Sequence, residues 1–181
     1  AIREFEEEFA NYVNAKYAIA CSNGTAALHL ACKALGLSEG GKLVTSSITF
    51  LASANCAQFV NAETILSDVD PETFCLSIDG LEKVLKLQNI DVVIPVHFAG
   101  HSAEMNSILE LKEKYGFNII EDSCHSLGGE YKGSKVGSCD YSSLSTFSFH
   151  PVKHITTGEG GAVTTNDKKL YEKLIRFRAH G

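Results

Sequence analysis

At 181 residues the chain is long enough for one domain with a real core, and 44% hydrophobic against 21% charged residues is the balance of a soluble globular protein. Its formal charge of −6 comes without any basic run, which argues against a nucleic-acid partner, and no apolar stretch approaches the length of a membrane-spanning helix. The six cysteines, Cys21, Cys32, Cys56, Cys75, Cys124 and Cys139, form no C-x-x-C pair, so reduced and mostly buried thiols of a cytoplasmic protein are expected, not a zinc ribbon or redox motif.

The opening run AIREFEEEFA is acidic and amphipathic, unlike a secretory leader, and places Ile2, Phe5, Phe9 and Val13 on one helical face. YAIAC then reads as a short buried strand, followed by a helix in GTAALHLACKALGL. KLVTS is a strand and residues 50–60 a helix; ETILSDV is a strand and residues 78–87 a helix. DVVIPV is a strand, residues 104–115 a helix, and FNIIED a strand. Beyond these, GGEYKGSKVG reads as a hairpin, YSSLSTFSF and GAVTTN as strands, and a last helix starts from Asp167. Repeated strand–helix alternation with short connections predicts an α/β domain, a mainly parallel sheet with helices on both faces. The chain lacks an initiating Met and stops at RFRAHG as a helix runs out, so a piece of a longer protein is expected.

In such sheets ligands lie at the carboxyl ends of the strands. The polar stretches there are residues 22–25, 46–50, 97–101, 122–125 and 148–153. CSNGTAAL combines a turn with a helix start, where free N–H groups and the helix dipole suit a phosphate. Its spacing is neither G-x-G-x-x-G nor a Walker A loop, and taken alone it is an ordinary N-cap turn. Glu121 and Asp122 close one strand and should point to opposite faces, so only one of them can meet a ligand. Asp122 is placed either for a cationic ligand group or as a cap for the next short helix. Cys124 and His125 are adjacent, a poor arrangement for a thiolate–imidazole pair. His97 and His101 sit four apart, but Gly100 argues for a loop, so no metal site is expected and a structural or loosely substrate-facing role is.

SFHPVKHITTGEGG holds one lysine, Lys153, with no acid until Glu159. A lone loop lysine is ordinarily a solvated charge. Here Ser148 and His150 add hydrogen-bonding capacity, and Gly158, Gly160 and Gly161 are expected to let backbone approach a ligand. A phosphate cradle, a strand-end carboxylate and a lysine are together the three attachments that pyridoxal 5′-phosphate (PLP) needs.

In order along the chain, CSNGTAALHLA, TSSITFLASANC, DVDPETF, IPVHFAG, IIEDSCHSLG and SFHPVKHITTGEGGAVTTND resemble the DegT/DnrJ/StrS family of sugar aminotransferases, essentially end to end. The HPVK…ITTGEGG form is most similar to enzymes that aminate UDP-4-keto-6-deoxy-N-acetylhexosamines on the way to pseudaminic-acid-type sugars. The resemblance implies the large domain of a fold-type I, PLP-dependent transferase spanning residues 1–181. Lys153 would take the cofactor aldehyde as an imine and then shuttle a proton. Asp122 would pair with the pyridinium nitrogen, His125 would sit beside the ring hydroxyl, and Phe50 would stack on the ring. Gly24, Thr25 and Ala26, with the Ser148 hydroxyl, would hold the phosphate. The implied reaction is ping-pong transamination of a nucleotide-linked keto-sugar, with L-glutamate as amino donor, serving surface polysaccharide or glycan biosynthesis. Members of the family are about twice this length, so a smaller C-terminal domain and an N-terminal segment are expected to be missing. The resemblance also implies a homodimer with shared active sites, neither nucleic acid nor membrane as a partner, and a fragment that is inactive alone. Two other readings stand beside it: a PLP-binding but non-catalytic or regulatory member, and a sugar dehydratase, in which a histidine replaces the lysine. His154 raises the second, but the register from Ser148 puts Lys153 at the imine position.

Overall fold

The computed structural model describes residues 1–180; Gly181, the last residue of the expected domain, lies outside them. Five apolar runs become strands that point the same way: β1 (Tyr17–Cys21), β2 (Lys42–Ser46), β3 (Glu63–Ser67), β4 (Val92–Ile94) and β5 (Asn118–Asp122). Their runs are nearly continuous because helices bury both faces of the sheet. Together with β8 (Leu144–Ser148) and β9 (Gly161–Thr165) they form one seven-stranded sheet of order β1-β9-β8-β5-β4-β2-β3. The predicted hairpin is present as a separate pair, β6 (Glu130–Tyr131) and β7 (Ser134–Lys135). From β8 to β3 every pairing is parallel. β9 runs against its neighbours, antiparallel to both β1 and β8.

Alternation along the strands sorts the core into two layers. Leu43, Val92, Ile94, Ile120, Leu144 and Val163 point to one face, covered by α2 (Gly24–Leu35), α3 (Ala52–Gln58) and α6 (Lys168–Ala179). Val44, Val93 and Ile119 point to the other, beneath α4 (Ile78–Leu87) and α5 (Met105–Tyr115). The α/β reading with helices on both faces therefore holds. On this second face α1 (Ile2–Val13) packs Phe9 edge-on against Phe147 and Phe149. Of the four residues expected on its inner face, Phe9 and Val13 are buried and Phe5 is half-buried, but Ile2 is 65% exposed. Ile2 instead borders an open groove with Phe5, Phe149 and Arg178.

Direction matters most at one edge. β1, β2, β4, β5 and β8 all end there, and β9 begins there, with Gly161 opposite both Cys21 and Ser148. Residues 149–160 leave β8 and enter β9 at this edge, so the loop bearing Lys153 hangs over the carboxyl ends of the parallel strands.

Candidate active site

A cavity of about 460 Å³ opens at that edge, a size suited to a cofactor or drug-sized ligand. Four segments far apart in sequence build its wall.

The first is the turn from β1 into α2. Asn23 is the N-cap of α2: its backbone is extended and its Oδ1 accepts the Ala26 N–H at 2.8 Å. The first helical bond, Ala27 N–H to Asn23 O, follows at 3.0 Å. Gly24 and Thr25 N–H thus lie ahead of any intrahelical acceptor, at the positive end of the helix dipole, and both residues line the cavity. Ala26 does not line it, and its N–H is already engaged. The helix begins at Gly24, the first residue of the GTAALHLACKALGL run.

Gly24 is pressed from the far side. A Cβ there would lie 2.8 Å from Ser148 Cβ and 3.3 Å from both Ser148 Oγ and Cys124 Sγ. Gly24 therefore packs directly on Ser148, a contact that a side chain at position 24 would disrupt, and the Gly24–Thr25 turn and Ser148 stand together on the cavity wall. The closing glycines act differently from expectation. A Cβ on Gly161 would meet the Asn23 carbonyl and Gly24 N, so Gly161 admits the phosphate-type turn itself, not a ligand. Around Gly158 nothing lies within 4 Å, and a Cβ on Gly160 would strike Thr157 Oγ1.

The second segment is the end of β5. Asp122 and Glu121 face opposite sides, as alternation requires. Asp122 is buried on the cavity wall; its Oδ2 accepts from Ser53 Oγ at 2.6 Å and its Oδ1 from Cys124 N–H at 3.2 Å. Glu121 turns away and accepts from Ser142 Oγ and from His97 Nε2, the latter at 2.8 Å. Ala103 N–H donates to His97 Nδ1 at 3.1 Å, which leaves the ring proton on Nε2. His97 is thus a buried structural group; it also brackets Asp122, since its N–H donates to Asp122 O while Asp122 N–H donates to Pro95 O. Its sequence neighbour His101 is exposed. Among the described residues no group of three or more His, Cys, Asp or Glu side chains is placed to hold a metal ion.

Past Asp122 come Cys124 and His125, both on the wall. Burial, reinforced by the Asp122 carboxylate, pushes the Cys124 thiol well above its ordinary range, so it is no thiolate nucleophile. Burial, then the Lys153 charge, pulls His125 below its ordinary value.

The third segment places Thr49 and Phe50 on the wall, with Phe50 69% exposed at the rim. The fourth is the β8–β9 loop with His150, Lys153 and Glu159. The nearest acid in sequence, Glu159, lies 3.8 Å from His150 Nε2, and Lys153 pairs with no carboxylate among the described residues. His154 turns elsewhere, its Nε2 3.0 Å from Leu127 O. Of the expected site residues, Lys153, Asp122, His125, Phe50, Gly24, Thr25 and Ser148 share this one cavity, and Ala26 stands outside it. Thr49 comes from the polar strand-end stretch 46–50, while Ser53 joins the site without a signal in the sequence beyond its place in a run of small residues.

The carboxyl edge of the parallel sheet thus gathers on one cavity a lysine without an ion pair among the described residues, a buried carboxylate and the N-terminus of a helix. The chain belongs to the DegT/DnrJ/EryC1/StrS aminotransferase family, which it matches over residues 1–181. It is 44% identical over 185 residues to UDP-4-amino-4,6-dideoxy-N-acetyl-beta-L-altrosamine transaminase of Campylobacter jejuni, covering 99% of this chain and 47% of that protein. It is 42% identical over 180 residues to GDP-perosamine synthase of Caulobacter vibrioides, covering 99% and 48%. The solved structure of NtdA from Bacillus subtilis with bound cofactor PMP superposes with a TM-score of 0.92 at 30% identity, over 99% of this chain and 40% of that one. The architecture is that of the fold-type I transferases. The chain spans about half the length of the curated relatives it matches.

Proposed function

We propose that residues 1–181 form the PLP-binding large domain of an aminotransferase that moves an amino group onto a nucleotide-linked keto-sugar, with L-glutamate as donor. The observation that carries this reading is the convergence of Lys153, Asp122 and the Gly24–Ser148 cradle on one cavity. PLP, when bound, supplies an electron sink for carbanion chemistry at the amino-bearing carbon. The rest falls to the chain. Gly24 and Thr25 N–H with the Ser148 hydroxyl would hold the PLP phosphate at the start of a 12-residue helix. Asp122, a carboxylate on the buried wall, would face a ring nitrogen and pair with it in its protonated form. Phe50 offers a flat apolar face, and His125, whose Nδ1 accepts the Ala99 N–H, keeps Nε2 for a phenolic oxygen. Lys153, free of any ion pair among the described residues, is available to form a covalent bond through its amine and to carry a proton.

The two relatives are named for sugars on different nucleotides, UDP and GDP, which supports a nucleotide sugar as a class; the UDP-4-keto-6-deoxy-N-acetylhexosamine assignment rests on the HPVK form of the loop. A dehydratase reading is disfavoured because His154 is bonded to a carbonyl outside the cavity wall while Lys153 is on it. A homodimeric site is supported by the large apolar side chains at the rim, Phe50 and Val152, the latter 78% exposed.

The test is direct. Purified protein incubated with PLP should turn yellow, and borohydride reduction should leave a stable pyridoxyl label on Lys153 by mass spectrometry, absent in Lys153→Ala. A chain that stays colourless and unlabelled refutes the reading. Glutamate consumption on adding UDP- or GDP-linked 4-keto-sugars then tests transamination directly, and its presence excludes a PLP-binding, non-catalytic protein.

A further inference from the structure

One polar contact of the site is made from beneath the cavity. Ser53, in the first turn of α3, is fully buried, and its Oγ lies 2.6 Å from Asp122 Oδ2. On its other side Thr49 Oγ1 lies 2.9 Å away, and that hydroxyl belongs to a residue of the cavity wall. An ionised carboxylate only accepts hydrogen bonds, so the single Ser53 hydroxyl proton points at Asp122. Ser53 must then accept from Thr49. The chain of donors therefore has one direction, from Thr49 to Ser53 to Asp122.

From this geometry we infer that Ser53 is a positioning residue for Asp122 and that Thr49 sets the Ser53 hydroxyl. The inference rests on the PLP reading above and deepens it. Asp122 receives one donor on each oxygen, from two different elements: Ser53 of α3 on Oδ2 and the Cys124 N–H on Oδ1. Two fixed donors hold the carboxylate plane and leave its remaining lone pairs for the cavity. The helix of Ser53 otherwise turns Ala52, Cys56 and Ala57 inward, so the hydroxyl is its one polar side-chain group in that buried layer. Thr49, with its proton committed downward, presents only lone pairs to the cavity. It is an acceptor for a ligand's hydroxyl or amine and not a donor. The titratable groups facing Asp122 are Lys153 and His125 across the cavity and the thiols of Cys124 and Cys56.

Three variants test this: Ser53→Ala, Ser53→Thr and Thr49→Val. PLP affinity is read by absorbance titration, the pH midpoint of the visible band by spectrophotometry, and Lys153 labelling by borohydride and mass spectrometry. Loss of a hydrogen bond to a charged group should weaken PLP about tenfold in Ser53→Ala. The band midpoint should rise in pH, because a less firmly held carboxylate sustains less positive charge on the ring nitrogen. Thr49→Val should shift both readouts in the same direction by less, and Ser53→Thr, which keeps the hydroxyl, should stay near wild type. Ser53→Ala that labels at Lys153 with wild-type affinity and midpoint overturns the inference and leaves the PLP reading standing. If Ser53→Ala does not fold, Thr49→Val decides, and wild-type values in it overturn the inference. A wild-type chain that takes up no PLP overturns both.

Discussion

Gly161→Ala isolates the contact between the loop that carries Lys153 and the turn that cradles a phosphate. Gly161 opens β9, and a Cβ added there would lie 2.5 Å from Asn23 C and 2.9 Å from Gly24 N, with Asn23 O closer still. All three are backbone atoms, so no side chain can swing aside, and β9 or the turn must move. Overpacking of a tight site costs about 1–3 kcal/mol, and three backbone clashes put this substitution at the upper end, about 2–3 kcal/mol. For a domain of this size each kcal/mol lowers the melting temperature by about 2–4 °C, so a loss of about 4–12 °C is expected. Displacement of Asn23 and Gly24 should also weaken PLP by about tenfold or more, since the N–H donors are part of what moves. Gly158→Ala is the matched control. Its backbone has φ of +81° with nothing within 4 Å of the added carbon, so it should cost about 1 kcal/mol of backbone strain and leave PLP affinity alone. Differential scanning fluorimetry of the apo proteins and absorbance titration with PLP measure the two effects. Gly161→Ala with the melting temperature and PLP affinity of Gly158→Ala would refute the argument that this contact shapes the cradle.

The buried polar groups give three further expectations. His97→Ala strips Glu121 of a charged hydrogen bond and leaves a cavity behind a fully buried ring, so urea unfolding should show a loss of about 3–5 kcal/mol; a loss under about 1 kcal/mol contradicts the pairing. Cys124, its thiol held up by burial and by Asp122, should alkylate with iodoacetamide at least about tenfold more slowly than a free cysteine at pH 8. Mass spectrometry showing it to be the first of the six thiols labelled would refute that. His125 is lowered below its ordinary value, so as pH falls the unfolded chain takes up this proton first. Stability should therefore drop as pH passes down through about 6.5 and level off below the folded value. His125→Asn should flatten part of that slope in melting curves between about pH 7 and 5, His29 supplying the same sense of change from its own burial. An unaltered slope would show that His125 does not titrate as argued.

The strands and helices are legible in the sequence because each parallel strand is a short apolar run and each helix an amphipathic one. Given that alternation, the carboxyl edge, and so the neighbourhood of Asp122, Gly24 and Ser148, follows from topology. What escapes is what depends on partners distant in sequence. A five-residue run such as GAVTT carries no direction of its own, and only pairing shows that β9 enters antiparallel between β1 and β8. Ile2 has the periodicity of a buried residue, but it stands on the wall of an open groove shared with Phe5, Phe149 and Arg178. Ala26 fits a phosphate cradle by position, yet the Asn23 side chain takes its N–H. Ser53 looks like one more small residue on a short helix, and its partner is Asp122, 69 residues on.

The glycines near Lys153 show the same limit and say something further about the site. Their composition announces a close approach without naming what approaches. Gly161 sits against Asn23, and Gly24 against Ser148, the residue that opens the Lys153 loop. The turn at the head of α2 and both ends of the β8–β9 loop are therefore packed directly on one another through two glycine contacts. Lys153 sits at a distance from the cradle set by that packing and by the short run of chain from Ser148. A change that loosens either contact should move the lysine and the phosphate donors together, which is why affinity and stability are expected to fall in step in Gly161→Ala and not in Gly158→Ala.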